Sequence, residues 1–426
     1  MRFPRLEAIL GAQVHELTET HLQRLVDGAV AEAVDLEFKR DHYETNERGK
    51  KELAKDIAAM ANASGGVIII GIRETNGVAS ALAPLPVSDA EELRMHQTIA
   101  STCAPLPDFR IHAVSNGYYV IAVPRSSWAP HAVVVNDALR YPLRLASGTH
   151  VLSESDVANA YRNRFRGAAD QAARVTEVRL EGEQAVLPYA PLALLSCAFV
   201  PNLPGRMTID RQAVYDFRSF GQARRIPMPQ STIGNVAPWP LAGFRRVIVH
   251  LGMNDDGRPS AGTVQLHEDG SSYFGLFAGS PGQPMNPIQD EDLVADVVTI
   301  VGEAAAHAIE RCGTGGDSVA EITIASAHAV SLGDCGRSHS FHRDDPTRVM
   351  NGQVPVGRHT INFDAIAGSR LEQVLAARLL LNDVFQALGE PECRQISADG
   401  RFNFNYYRHS VESRMQMLDQ AIASDS

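Results

Sequence analysis

Glu32-Ala33-Val34-Asp35-Leu36-Glu37-Phe38-Lys39 is followed, one helix-length later, by Ala61-Asn62-Ala63-Ser64-Gly65-Gly66-Val67-Ile68-Ile69-Ile70-Gly71-Ile72-Arg73-Glu74. Alternate side chains of a strand leave on opposite faces, so Leu36 and Phe38 are expected in a core while Glu37 and Lys39 share the other face. Glu32 lies too far from Glu37 for one strand, or one helix, to bring the two onto a common face. They converge only where regular structure changes between them. Leu22, Leu25, Val26 and Ala29 recur at helical spacing, which predicts a helix ending near Ala33 before the strand begins. Residues 49–62 repeat apolar positions every three or four residues and predict an amphipathic helix. Gly65-Gly66 is expected to stop it. Val67-Ile68-Ile69-Ile70 shows no polar alternation, so it reads as a strand covered on both faces, with Glu74 emerging just beyond.

This arrangement resembles the Schlafen family's shared AlbA-like domain. The resemblance rests on Glu32, Glu37-Phe38-Lys39, Ala61-Asn62-x-x-Gly65-Gly66 and Gly71-Ile72-Arg73-Glu74 in order and at spacing. Val123-Pro124-Arg125-Ser126, Pro130-His131 and Tyr141-x-Leu143-Arg144 extend it over residues 20–166. It implies an α+β fold for the N-terminal part, a mixed sheet with flanking helices; beyond it, strands grouped with a few helices read as a second α+β domain. It also implies a three-acid site at Glu32, Glu37 and Glu74, binding magnesium or manganese for cleavage of tRNA or other structured RNA. Glu74 departs from the family's usual Asp by one methylene. Two lobes form the RNA groove in relatives, so a single copy per chain implies a homodimer.

The residue chemistry agrees with that expectation. Hard divalent cations take carboxylate oxygens and retain waters, so a few acids on one face suffice. Lys39 beside Glu37 would assist by countering charge in the transition state. Arg40, Lys50, Lys51 and Lys55 are candidate phosphate-backbone contacts, and Arg144 another from the closing strand. Every lysine in the chain falls between 39 and 55, with Glu47, Glu52 and Asp56 interleaved. The bland reading of that run is a solvated helix face. Gly66 to Gly71 has phosphate-loop spacing but lacks the following Lys-Ser/Thr, and reads as a buried strand. His131 is a candidate for facing the acids, against a merely structural histidine.

Composition bounds the remainder. The chain has 426 residues and a net charge of −11. Residues 1–166 hold 18 Lys+Arg and 20 Asp+Glu, so the acidity sits mostly beyond them and any nucleic-acid contact must be local. Five scattered cysteines and no signal-like start predict a reducing, cytoplasmic setting without disulfides; a bacterial source is what the Schlafen resemblance implies. No apolar run is long enough to span a bilayer.

The expected organisation is an extension at 1–19, the Schlafen-like domain at 20–166, a small polar linker at 167–175 and an α+β domain at 176–426. In the first domain a helix is expected from the Ser88 capping box through Thr102, a hairpin at 109–123, strand over 133–145 and a closing helix at 153–165. In the second, strands are expected at 192–200, 244–251, 263–277 and 319–330, with helices at 292–311 and 370–388. His328, Cys335, His339 and His342 fit no standard zinc spacing. Two other functions stay open: a non-catalytic DNA-binding regulator, and a ligand-sensing scaffold acting through the second domain.

Overall fold

The structure is a computed structural model. It describes residues 3–424 apart from 115–116, 136–137, 146–147, 191–192, 223–225, 280–285, 327–328, 334–349 and 352–353. The candidate zinc positions His328, Cys335, His339 and His342 lie outside the described residues. The fold is α+β, and the chain divides into two compact units, Met1–Ala168 and Ala169–Ser426. Among the described residues no helix is long and apolar enough to cross a membrane.

The first unit runs α1 (Pro4–Leu10), α2 (Glu19–Asp27), β1 (Leu36–Lys39), α3 (Glu47–Asn62), β2 (Gly65–Ile70), β3 (Ile72–Thr75) and β4 (Val78–Leu82). It continues with α4 (Asp89–Thr102), β5 (Cys103–Ala104), β6 (Arg110–Val114), β7 (Tyr118–Pro124), β8 (Ala132–Val135), β9 (Ala138–Arg140), β10 (Pro142–Leu145) and β11 (Gly148–Val151). The last helix, α5 (Glu154–Val186), begins here and continues into the second unit. The main sheet has the order β1-β2-β7-β6, with β1 and β2 parallel across α3 and the other pairs antiparallel.

β2 explains why its sequence lacks alternation. Val67 and Ile69 enter a core with Leu36, Phe38, Val120 and the N-terminal helices. Ile68 and Ile70 enter a second core with Leu53, Ile57, Ile99 and Ile121 beneath α3 and α4. Two cores press on one strand, so each of its apolar side chains is buried.

Three local expectations change. α2 ends at Asp27; residues 30–32 bond to the β3–β4 hairpin and Ala33 bridges Leu36, rather than forming more helix. Gly65-Gly66 does not cap α3, whose C-cap is Ala63; both glycines belong to β2. Their size serves close approach: a Cβ on Gly65, at φ +75°, would sit 2.5 Å from the Arg125 backbone nitrogen, and one on Gly66 2.7 Å from the Asp35 carbonyl oxygen. The segment 167–175, expected as a linker, lies inside α5. Its Gly-Ala-Ala-Asp-Gln-Ala-Ala run is small and polar, but alanine is the strongest helix former and no proline interrupts it.

The second unit contains β12 (Ala193–Pro201), α6 (Arg211–Asp216), β13 (Pro238–Gly243), β14 (Arg246–Met253), β15 (Pro259–His267), β16 (Ser272–Ala278) and β17 (Asn286–Gln289). After these come α7 (Asp290–Ala306), β18 (Asp317–Ser326), β19 (Ala329–Gly333), β20 (Met350–Asn351), β21 (Gly357–Asn362), α8 (Phe363–Gly368), α9 (Arg370–Ala387) and α10 (His409–Ser424). Among the described residues its main sheet is antiparallel, in the order β13-β14-β15-β16-β12-β18-β21. α7 and α9 share a large apolar core with it. On α5, Arg179 is buried and donates to Glu321 of β18 at 2.7 Å and to Glu183 at 2.8 Å, and Arg358 also donates to Glu321, so two arginines face two carboxylates.

Gly66→Ala is expected to cost on the order of 2–3 kcal/mol, because the added methyl meets backbone that cannot swing aside. Urea unfolding checks this, and an unchanged midpoint would show that β1 yields freely.

Candidate functional site

Glu37 and Lys39 leave β1 on the side of α3, as alternation requires, and there Lys39 becomes a hub. Its ammonium lies 2.9 Å from Glu37 Oε1, 3.1 Å from Glu52 Oε1 and 3.2 Å from Asp56 Oδ2. Tyr43 donates its hydroxyl to the same Asp56 oxygen at 3.1 Å. Burial by itself lowers the Lys39 ammonium, but Asp56, Glu37 and Glu52 outweigh it and hold the group well above an ordinary lysine. Burial, with Glu37 nearby, raises Asp56 despite the pull of Lys39. Lys39 is thus a charge already spoken for three times.

Asp56, Glu52 and Tyr43 join this site although the acids of α3 read in sequence as readily as a solvated face. The signal was present: Asp56 stands three residues after Leu53 and four before Met60, on the apolar stripe of α3.

Glu37 is buried and committed on both oxygens, to Lys39 and to the Arg144 guanidinium reaching over from β10. Glu32 follows the bridge at Ala31. Its backbone N–H donates to the Gly77 carbonyl at 2.7 Å, and its Oε1 accepts from Phe38 N–H at 2.8 Å. Glu74, on exposed β3, accepts the Gly77 N–H at 2.6 Å. The Glu32 Oε2 lies 3.9 Å from where a Cβ on Gly77 would stand. Gly77 therefore joins Glu32 and Glu74 at one turn. Burial raises the Glu32 carboxyl above the usual range, and repulsion from Glu37 and Glu74 adds to it while Phe38 and Arg144 oppose.

The three acids share an electrostatic field without closing on one point. Among the described residues no three Asp, Glu, His or Cys side chains form a group that could hold a metal ion. As arranged, the donor set does not fit a magnesium or manganese ion: the Glu37 oxygens face cations of the protein itself.

The other candidates sort differently. Lys50 pairs with Glu47 at 2.8 Å, Lys55 approaches Asp56 at 3.6 Å, and exposed Arg40 lies 3.9 Å from Asp41. Lys51 is half-buried on the same helix and has a partner of its own. His131 does not reach the acids. It is fully buried, donates from Nδ1 to the Pro105 carbonyl at 2.7 Å and accepts the Ser126 hydroxyl at Nε2, also at 2.7 Å. Burial lowers it and keeps it neutral. Asn62 anchors the Arg144 strand, donating to the His131 and Pro142 carbonyls at 2.8 and 2.7 Å and accepting the His131 N–H at 2.6 Å.

Residues 32–150 match the family model described as Schlafen, AlbA_2. The N-terminal part of this chain carries a Schlafen AlbA_2 domain. Among solved structures, the crystal structure of the DIP2311 protein from Corynebacterium diphtheriae aligns at 15% identity and a TM-score of 0.24. That alignment covers 34% of this chain and 28% of that one, and carries no argument about fold or function. A search of curated proteins finds no match. The Schlafen match contains Glu32, Glu37, Lys39, Glu74 and Arg144 together with the overlooked Asp56.

Two predictions separate structure from chemistry at this Schlafen site. Lys39→Met leaves buried Asp56 with only the more distant Lys55 as cation and should cost roughly 3 kcal/mol; thermal unfolding of the variant checks it before any assay is interpreted. Glu32→Gln should do the opposite. A carboxyl raised in the folded state destabilises the fold as pH climbs through its unfolded value of 4.5 and above. The variant should therefore melt higher than the parent at pH 7, with the difference vanishing below about pH 4. A lower melting temperature at pH 7 would contradict this account.

Proposed function

We propose that the N-terminal unit acts on nucleic acid, with RNA cleavage at the Glu32, Glu37, Glu74 and Lys39 cluster as its activity. The Schlafen AlbA_2 match supports nucleic-acid-related function. The observation that carries the finer reading is the crowding at Glu32, whose carboxyl is raised by burial and by two further acids. Holding like charges together costs stability. Such clusters mark sites where a reacting group or a counter-charge will arrive.

Glu32, whose carboxyl is raised by burial and by Glu37 and Glu74, is the member best suited to accept a proton. Arg144 is the member suited to grip a phosphate, since guanidinium binds phosphate and carboxylate in the same forked geometry. A phosphate at Arg144 would release Glu37 from its present partner. Lys39 holds the remaining negative charge in place throughout.

One observation favours a second reading, binding without cleavage: Glu37 is already satisfied on both oxygens. The experiment incubates end-labelled tRNA and duplex DNA with the protein in manganese, magnesium or EDTA. The parent is expected to cut RNA, and Glu32→Gln/Glu37→Gln/Glu74→Gln to lose at least 100-fold in rate. Retarded but intact RNA, insensitive to EDTA, would select the binding reading. Cutting by the triple variant at the parent's rate would end the proposal.

A further inference from the structure

We infer that Trp128 and the first turns of α5 form a stacking platform for unpaired nucleotides; the inference rests on the nucleic-acid reading above but on different residues. Trp128 is 50% exposed and Phe165 68% exposed, far more than aromatic side chains with a packing role. The Arg164 guanidinium lies over the Trp128 indole, 4.4 Å from its centroid. The rings of Tyr161 and Phe165 stack with 24° between planes at 6.5 Å, and Tyr141 meets Tyr161 edge-on at 6.3 Å.

Helical spacing explains the grouping. Tyr161, Arg164 and Phe165 lie at i, i+3 and i+4 on one side of α5, and Arg162 and Arg166 lie on the adjoining side. The two adjacent rings are thus flanked by cations on both sides around one edge of the helix.

Charge identifies the occupant. Residues 110–166 carry seven arginines against three acids, whereas residues 1–109 carry eleven Lys and Arg against seventeen acids. The exposed rings sit within the positive part of an otherwise acidic unit. An apolar protein partner needs no such arginine content, while a nucleotide presents a flat base to the rings and a phosphate to the cations. Stacking needs the base unpaired, which sets single strands, loops and frayed ends apart from duplex. Tyr141 precedes Arg144 by three residues, about 10 Å of extended chain just ahead of and along β10.

The chain has two tryptophans, so Trp239→Phe leaves Trp128 as the sole indole reporter. This variant is titrated with a 12-nucleotide oligouridine RNA, the matching oligothymidine DNA and a blunt duplex of equal length. Emission from Trp128 is expected to be quenched by both single strands and not by the duplex. Phe165→Ala in the same background should weaken single-strand affinity about tenfold or more. Fluorescence anisotropy of a labelled strand, read in parallel, tells the possible failures apart. Single-strand binding or RNA cleavage with unmoved Trp128 emission, or with affinity unaffected by Phe165→Ala, overturns the platform alone. Emission that shifts with protein concentration in the absence of nucleic acid also overturns it, in favour of a second copy covering the face. No binding and no cleavage of any nucleic acid by the parent protein overturns the platform and the proposed function together.

Discussion

β2 has no face left for water, and the first unit is arranged around that constraint. Its alternating side chains feed two separate cores, so the strand needs a helical layer above and below. Its two edges need partners as well, and β1 and β7 supply them. At its start the neighbouring backbones pass so close that only glycine fits at residues 65 and 66. The site inherits its geometry from these requirements. β1 lies parallel to β2 because α3 carries the chain over one face, and that crossover sets Glu37 and Lys39 against the acids of α3.

The charge arrangement above β1 is asymmetric. Around Lys39 the protein has matched every carboxylate with a cation or a hydroxyl, which keeps a buried Asp56 tolerable. Around Glu32 it has not: backbone N–H donors and a shared arginine face three mutually repelling acids. The fold thus sets a neutralised cluster beside a crowded one, with Glu74 of the second exposed to solvent.

Much of this was legible in the sequence, for identifiable reasons. Strand alternation placed Leu36, Phe38, Glu37 and Lys39 on their correct faces, and the unbroken apolar run placed β2 inside. Helix signals at Ser88 and over 49–62 held, because capping and periodicity are local. The meeting of Glu32 with Glu74 depended on a hairpin whose Asn76-Gly77 turn, with both residues at positive φ, went unnoticed. Arg144 on Glu37 spans more than a hundred residues of chain, and no local pattern announces a partner at that distance. The burial of Asp56 was readable from its place on the apolar stripe, but the alternating charges around it suggested a wet surface. The polar look of residues 167–175 hid a strong helix propensity, so composition misled where alanine content should have decided.

The confinement of all four lysines to residues 39–55 has a chemical corollary. Acylating reagents, carbamylation and amine cross-linkers have no other side-chain amine in this molecule to attack. Three of those amines ride on α3, while Lys39 is kept protonated by its carboxylates and is therefore a poor nucleophile. The covalent labelling of the protein thus reduces to a reading of one helix, with Lys39 silent for as long as its acid neighbours stay in place.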